Sequence, residues 1–281
     1  MNGGQKVVKI FALIFGIVLA FSIISSCVIV IFKLTQIVDF SSDNSKIEEN
    51  FEQVVKVYKE DNEYEFNNIK ISLSSVELYI YQGDYENLEY KCNTELIEKS
   101  IKNGTLNIEQ KDSGKIRIVT GNDKNYKLYL YIPKAINIDK LKLITGASKV
   151  YINGLEVEEF DAKFGAGKTV IDNFSASRAK ILTGVGSVVM NSMKIGKLDL
   201  DTGVGSVEYS GYILDDSKVS SGVGKLKLNI AGSYINYDLD VDKGIGSINL
   251  NEGNNNKKDI LDKEIKLKID SGIGSIYINF E

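Results

Sequence analysis

From Ile69 onward apolar and polar residues alternate along most of the chain, which is the period of half-buried β-strands and not of helices. Ile71, Leu73, Val76, Leu78 and Ile80 alternate with Ser, Glu and Tyr. The same pattern predicts strands over Leu88 to Cys92, Ile116 to Val119 and Tyr126 to Ile132, and over Thr105 to Gln110 after the hairpin dipeptide Asn103-Gly104. Gln82-Gly83-Asp84 reads as a turn, and Pro133 ends a strand because it has no N–H for a ladder. Residues 51–68 fit either a first strand or a short helix. Little helix is expected in the body of the chain.

Past residue 144 the alternation becomes a repeat. Thr145-Gly-Ala-Ser-Lys-Val is followed by Phe164-Gly-Ala-Gly-Lys-Thr, Thr183-Gly-Val-Gly-Ser-Val, Thr202-Gly-Val-Gly-Ser-Val, Ser221-Gly-Val-Gly-Lys-Leu, Lys243-Gly-Ile-Gly-Ser-Ile and Ser271-Gly-Ile-Gly-Ser-Ile. The first glycines (Gly146, Gly165, Gly184, Gly203, Gly222, Gly244 and Gly272) lie 19, 19, 19, 19, 22 and 28 residues apart. Near-constant spacing marks one supersecondary unit per period, and 19 residues suits a coil of short strands, too short for two helices. The fold class expected is therefore all-β, a β-solenoid or β-helix-like array whose coils bury their apolar faces on one another.

Each glycine pair is expected at a bend between strands, where positive φ or close approach to the next coil excludes a side chain. Leu198 and Leu200 should face inward, with Lys197, Asp199 and Asp201 outward and Val207 and Tyr209 continuing the alternation. The Val or Ile between the glycines is expected to form an internal file. Ser148 replaces the second glycine in the first copy, as a terminal repeat allows. The longer intervals before Gly244 and Gly272 should be surface bulges, the second holding Asn254 to Asn256, Lys257 and Lys258.

Ile10 to Phe32 is 23 residues without a charge, about 35 Å as a helix, against a hydrocarbon core of about 30 Å. With Lys6 and Lys9 before it, the pattern predicts a transmembrane anchor over 10–32, residues 1–9 cytoplasmic and the C-terminal domain extracellular. Two other readings stay open: a lipoprotein acylated at Cys27, since Ile24-Ser25-Ser26-Cys27 loosely matches a lipobox, and a buried helix. The organisation expected is a tail over 1–9, the anchor over 10–32, a tether and lead-in over 33–68, a β segment over 69–144 and the glycine repeat over 145–281.

Composition narrows the chemistry. Histidine is absent, which removes the usual neutral-pH base and the commonest metal ligand. Cys27 and Cys92 provide no disulfide framework. Removing Lys6, Lys9 and Lys33 from 34 basic residues leaves 31 against 38 acidic, net −7, with no basic stripe, so nucleic acid is excluded as a partner. The Gly-x-Gly motif recurs between strands with no helix after it, unlike a phosphate-binding loop. Asp199, Asp201, Asp238, Asp240, Asp242 and Asp270 precede bends, but alternating acids read as a solvated face before they read as a calcium site. Ser187, Ser206, Ser247 and Ser275 occupy equivalent repeat positions with no histidine to activate them. No catalytic, cofactor-binding or metal residue is assigned, and no cofactor is expected. Tyr79, Tyr81, Tyr85 and Tyr90, with Tyr126, Tyr129 and Tyr131, form two clusters that fit strand packing or a glycan- or protein-binding face.

The glycine repeat, the Leu130-Tyr131-Ile132-Pro133 strand end, and the Leu141-to-Ile144 strand running into Thr145-Gly146 together resemble the DUF4097 adhesin-like family, related to LiaG-like bacterial envelope proteins. The Ile71-to-Tyr81 and Gly104-to-Glu109 strands fit its N-terminal part, so the likeness covers residues 68–281. The resemblance implies a right-handed β-solenoid, commonly behind a membrane anchor in Gram-positive proteins, and carries no catalytic residues. The expected function is non-enzymatic: a membrane-anchored extracytoplasmic, adhesin-like domain contacting an envelope protein or wall glycan. An accessory role in envelope stress sensing is the alternative. A polysaccharide-active enzyme would need a cleft with two acids about 5–10 Å apart.

Overall fold

The computed structural model describes residues 66–111, 126–253 and 264–281, and the backbone of 53–57. Twelve strands form one sheet wound into a solenoid: β1 (Gln53–Val57), β2 (Asn68–Leu73), β3 (Glu77–Gly83), β4 (Leu88–Cys92), β5 (Ile97–Lys102), β6 (Thr105–Gln110), β7 (Lys127–Pro133), β8 (Ile138–Asn153), β9 (Glu156–Ile213), β10 (Ser217–Ile230), β11 (Tyr237–Asn251) and β12 (Ile265–Phe280). Residues 51–68 thus supply a strand, and the predicted strand over 116–119 lies outside the described residues. β9 is extended for 58 residues because it winds through three coils without leaving the ladder.

Parallel pairing at a shift of 19 stacks the coils: Leu143 sits on Ala162, and Leu200 on Val219. Each coil has two arms joined at the Gly-x-Gly corner. Leu198 and Leu200 on one arm and Tyr209 on the other are wholly buried, and Val207 nearly so, while Lys197 and Asp201 stay exposed. The core is a set of vertical columns such as Ile152, Ile171, Met190, Tyr209, Leu228 and Ile278. Coils share no apolar face until stacked, so burial is cooperative along the axis.

The alternation does not run straight through the corner. Inward positions are even before it (Leu198, Leu200, Thr202) and odd after it (Val207, Tyr209). The phase changes across the Gly-x-Gly segment, where Gly205 has a φ of 143°, and the residue between the glycines faces outward. The expected internal file is therefore external: Val204, Val223 and Ile273 are 39%, 42% and 50% exposed.

Stack order departs from chain order at both ends. At the N-terminal end β6 lies beside β2, and β2 beside β8, while β3 sits between β7 and β8. Antiparallel β5 and β4 then cover β6 and β7, and β1 pairs with β4. The Asn103-Gly104 turn joins β5 to β6 with both residues at positive φ.

At the C-terminal end β12 inserts between β10 and β11. The 28-residue interval before Gly272 therefore carries the chain back to an inner coil, and the loop expected over 254–258 lies outside the described residues. The chain lays down β11 as the outermost coil, then returns to fill the gap beneath it.

The expected transmembrane helix is corrected. No helix among the described residues is long and apolar enough to cross a membrane, and the one helix among them is the three-residue 3₁₀ turn Tyr234–Asn236. Residues 10–32 lie outside the described residues. Among the described residues the fold is a β-solenoid without that helix; the single-pass topology, the membrane localisation and the membrane contact through 10–32 are withdrawn with it.

Candidate binding surface

The out-of-order coils at the N-terminal end bring the predicted tyrosines together. Pairing of β3 with β7 sets Tyr79 on Tyr129 and Tyr81 on Tyr131, while β8 adds Tyr151, in register with Tyr79 and with its ring 5.6 Å from that of Tyr81. Tyr79 and Tyr129 stack with centroids 4.6 Å apart, Tyr81 and Tyr131 at 5.5 Å. These rings spend their faces on one another, so this tier is chiefly packing. The Tyr79 hydroxyl donates to Glu77 Oε2 at 3.0 Å. Burial pushes the Tyr79 hydroxyl well above its ordinary value and that of Tyr81 up to about 12, so both remain neutral donors at physiological pH.

Tyr85 is placed differently. It leaves the end of β3, meets Tyr131 edge-on at 5.3 Å and stays 39% exposed. Together with Asp84, Glu86, Asn87, Glu89, Lys91 and Tyr131 it lines an open cleft of about 450 Å³. Lys91 Nζ lies 4.9 Å from the Tyr131 ring centroid and 3.0 Å from Glu89. Lys134 lies 3.2 Å from Asp84. Two of the three acids are thus held by lysines, which is unlike the acid and nucleophile of a glycosidase that must act on the substrate. Tyr90 belongs to the interior instead: its hydroxyl lies 3.1 Å from Cys92 Sγ, and the buried Cys92 thiol donates to the Thr94 carbonyl.

The aspartates singled out near the bends do not converge. Asp199 faces Lys180 at 3.9 Å, Asp270 faces Lys218 at 3.1 Å, and Asp240 faces Lys268 at 4.0 Å. Among the described residues no three His, Cys, Asp or Glu side chains form a group able to hold a metal. Ser247 Oγ donates to Ser275 Oγ on the neighbouring coil at 3.2 Å.

A polar ladder escaped the sequence reading. Asn191 Nδ2 donates to Asp172 at 2.9 Å, Asn229 to Ser210 at 3.0 Å and Asn279 to Asn229 at 2.9 Å, all at the far end of the second arm. Asn, Asp or Ser recurring at 19-residue spacing was the available signal.

A parallel solenoid with glycine-stacked corners and an external aromatic tier is a scaffold of the binding-domain class. The chain belongs to the Toastrack DUF4097 family, whose model matches residues 66–277. No curated protein matches it. Similar solved structures include a candidate cell adhesion protein of Clostridium sporogenes (18% identity, TM-score 0.36, covering 82% of this chain and 99% of that one). Another is a candidate adhesin of Bacteroides fragilis (17% identity, TM-score 0.45, covering 80% and 97%). A third is a candidate lipid binding protein of Parabacteroides distasonis (15% identity, TM-score 0.34, covering 80% and 95%). Family membership rests on the family match.

Proposed function

We propose that the domain is a non-enzymatic, adhesin-like module that binds a cell-envelope glycan in the cleft beside Tyr85. The observation carrying this is the pairing of one exposed aromatic ring with an acid- and amide-lined rim. Sugars present C–H faces that pack on aromatic rings and hydroxyls that donate to carboxylate and amide oxygens. Tyr85 supplies the ring, and Glu86 and Asn87 supply acceptors on the same short turn. Tyr131 fixes Tyr85 from beneath, so little side-chain entropy is lost on binding. A glycan array probed with the full chain and with Tyr85→Ala tests this. A sugar class retained by the wild type and lost by the variant, with unchanged circular dichroism, supports it. Absence of any bound glycan, or binding indifferent to Tyr85→Ala, overturns it.

A further inference from the structure

The two ends of the solenoid are finished differently. Antiparallel β4 and β5 cover the N-terminal coil. At the other end β11 pairs with β12 alone among the described residues, so one side of its backbone from Tyr237 to Asn251 has no described strand beside it.

The missing neighbour shows in the side chains. Ile269, Ile276 and Ile278 in β12 are at most 1% exposed, whereas their column mates Val241 and Ile248 in β11 are only partly buried and Leu250 is 42% exposed. Ile245 at the corner is 74% exposed. An open strand of this length carrying apolar residues is a template for another strand.

We infer that β11 is the docking surface for a second copy of this chain, joined antiparallel to its own β11 about a two-fold axis through the Gly-x-Gly corner. The axis exchanges the two arms of the coil while keeping inside inside, so both arms pair at once. The corner phase change makes the strand self-complementary. Aligning Asp242 with Ser247 of the second copy sets Val241 on Ile248 and Leu239 on Leu250, all inward. The same register sets Asp240 on Asn249 and Asp238 on Asn251, outward. Each of these aspartates meets a neutral amide or hydroxyl and each inward apolar residue an apolar one, while Ile245 lies at the corner opposite Gly244. Parallel pairing would place Asp238, Asp240 and Asp242 against themselves, which disfavours it and leaves a closed dimer in place of a growing fibre. The inference is independent of the glycan cleft, which lies toward the other end of the stack.

The register can be tested in the full chain carrying Cys27→Ser, with the natural Cys92 buried in the core. The protein is kept in non-ionic detergent because residues 10–32 are uncharged. Chains with Asp242→Cys and chains with Ser247→Cys are oxidised separately and mixed. A disulfide-linked dimer in the mixture, absent from either variant alone, is expected, because only unlike positions face each other. Ile245→Asp, at a position exposed enough to leave the coil intact, should weaken dimerisation about tenfold or more by sedimentation velocity. A monomer at every concentration, a mixture that links no better than the separate variants, or a dimer indifferent to Ile245→Asp overturns the inference.

Discussion

A Cβ built on Gly224 would lie 1.7 Å from the carbonyl oxygen of Gly205 on the coil beneath. The same holds up the column: 1.8 Å for Gly205 over Gly186 and 1.7 Å for Gly274 over Gly224. These glycines also sit near φ 140°, where L side chains are strained. The corner is thus a stack of backbones in contact, and glycine is demanded twice over. Gly224→Ala should cost more than about 4 kcal/mol or prevent folding. Gly232→Ala is the control, since φ is 117° there but nothing lies within 4 Å of the added methyl; strain alone should cost about 1–3 kcal/mol. Denaturant melts of the two variants separate the effects. Equal losses would deny the corner contact.

Ser148 shows the same rule from the other side. It occupies the second-glycine position of the first corner, where β2 ends at Leu73 before β3 starts at Glu77, so no Gly-x-Gly corner lies beneath it. A Cβ is accommodated there, although Ser148 Oγ is buried without a hydrogen-bond partner. Ser148→Ala should accordingly leave stability unchanged or raise it by up to about 1 kcal/mol, read as the shift in melting midpoint.

The 19-residue period, the inward faces of Leu198, Leu200, Val207 and Tyr209, and the glycine corners were all legible, because burial on one face writes itself into alternation. The outward turn of Val204 was also written there, as the switch from even to odd inward positions, but alternation was carried through the corner. The insertion of β12 was not legible. Gly-Ile-Gly-Ser-Ile occurs in both β11 and β12, so either strand fits against Gly222-Val-Gly with every side chain on the correct face. The cleft at Tyr85 was hidden for a related reason. It depends on β7 lying beside β3, a neighbourhood created by the out-of-order coils and absent from local sequence.

Large-to-small changes should grade along the stack. Leu200 is wholly buried between coils on both sides, so Leu200→Ala should cost about 2–5 kcal/mol. Leu239 occupies the outermost coil and is only partly buried, so Leu239→Ala should cost less than half as much when measured below the concentration at which copies associate. Chemical denaturation at two protein concentrations provides both numbers. Equal costs in dilute protein would mean that the outermost coil is covered in solution by another part of the same chain.

Tyrosine burial predicts alkaline unfolding. Burial raises the Tyr81 hydroxyl to about 12, as it does that of Tyr237, whose hydroxyl also donates to the Ile213 carbonyl at 2.9 Å. For such groups the folded state keeps its proton after the unfolded chain, titrating near 10, has lost it. The unfolded state then binds fewer protons, so stability falls as pH rises. The contribution is complete below about pH 10 and is lost between about pH 10 and 12. Tyrosinate absorbance should rise together with loss of β-sheet ellipticity over that window. Tyrosine ionisation complete before any loss of sheet would contradict the burial.

The insertion of β12 makes a prediction that a sequential stack does not. In chain order, the last strand would be the outermost and the most readily frayed. Here β12 is flanked by β10 on one side and β11 on the other, in register from Leu267 over Ser217 to Phe280 over Ile230. Amides of β12 should therefore exchange slowly at every protein concentration, despite their place at the C-terminus. Those of β11, bounded by β12 alone among the described residues, should exchange faster in dilute protein and become protected as copies associate. Truncation after residue 264 should remove two coils, because β11 loses its only described neighbour. Hydrogen exchange read by mass spectrometry on peptides from 237–251 and 265–280 decides this. Slower exchange in β11 than in β12 in dilute protein would refute the stack order.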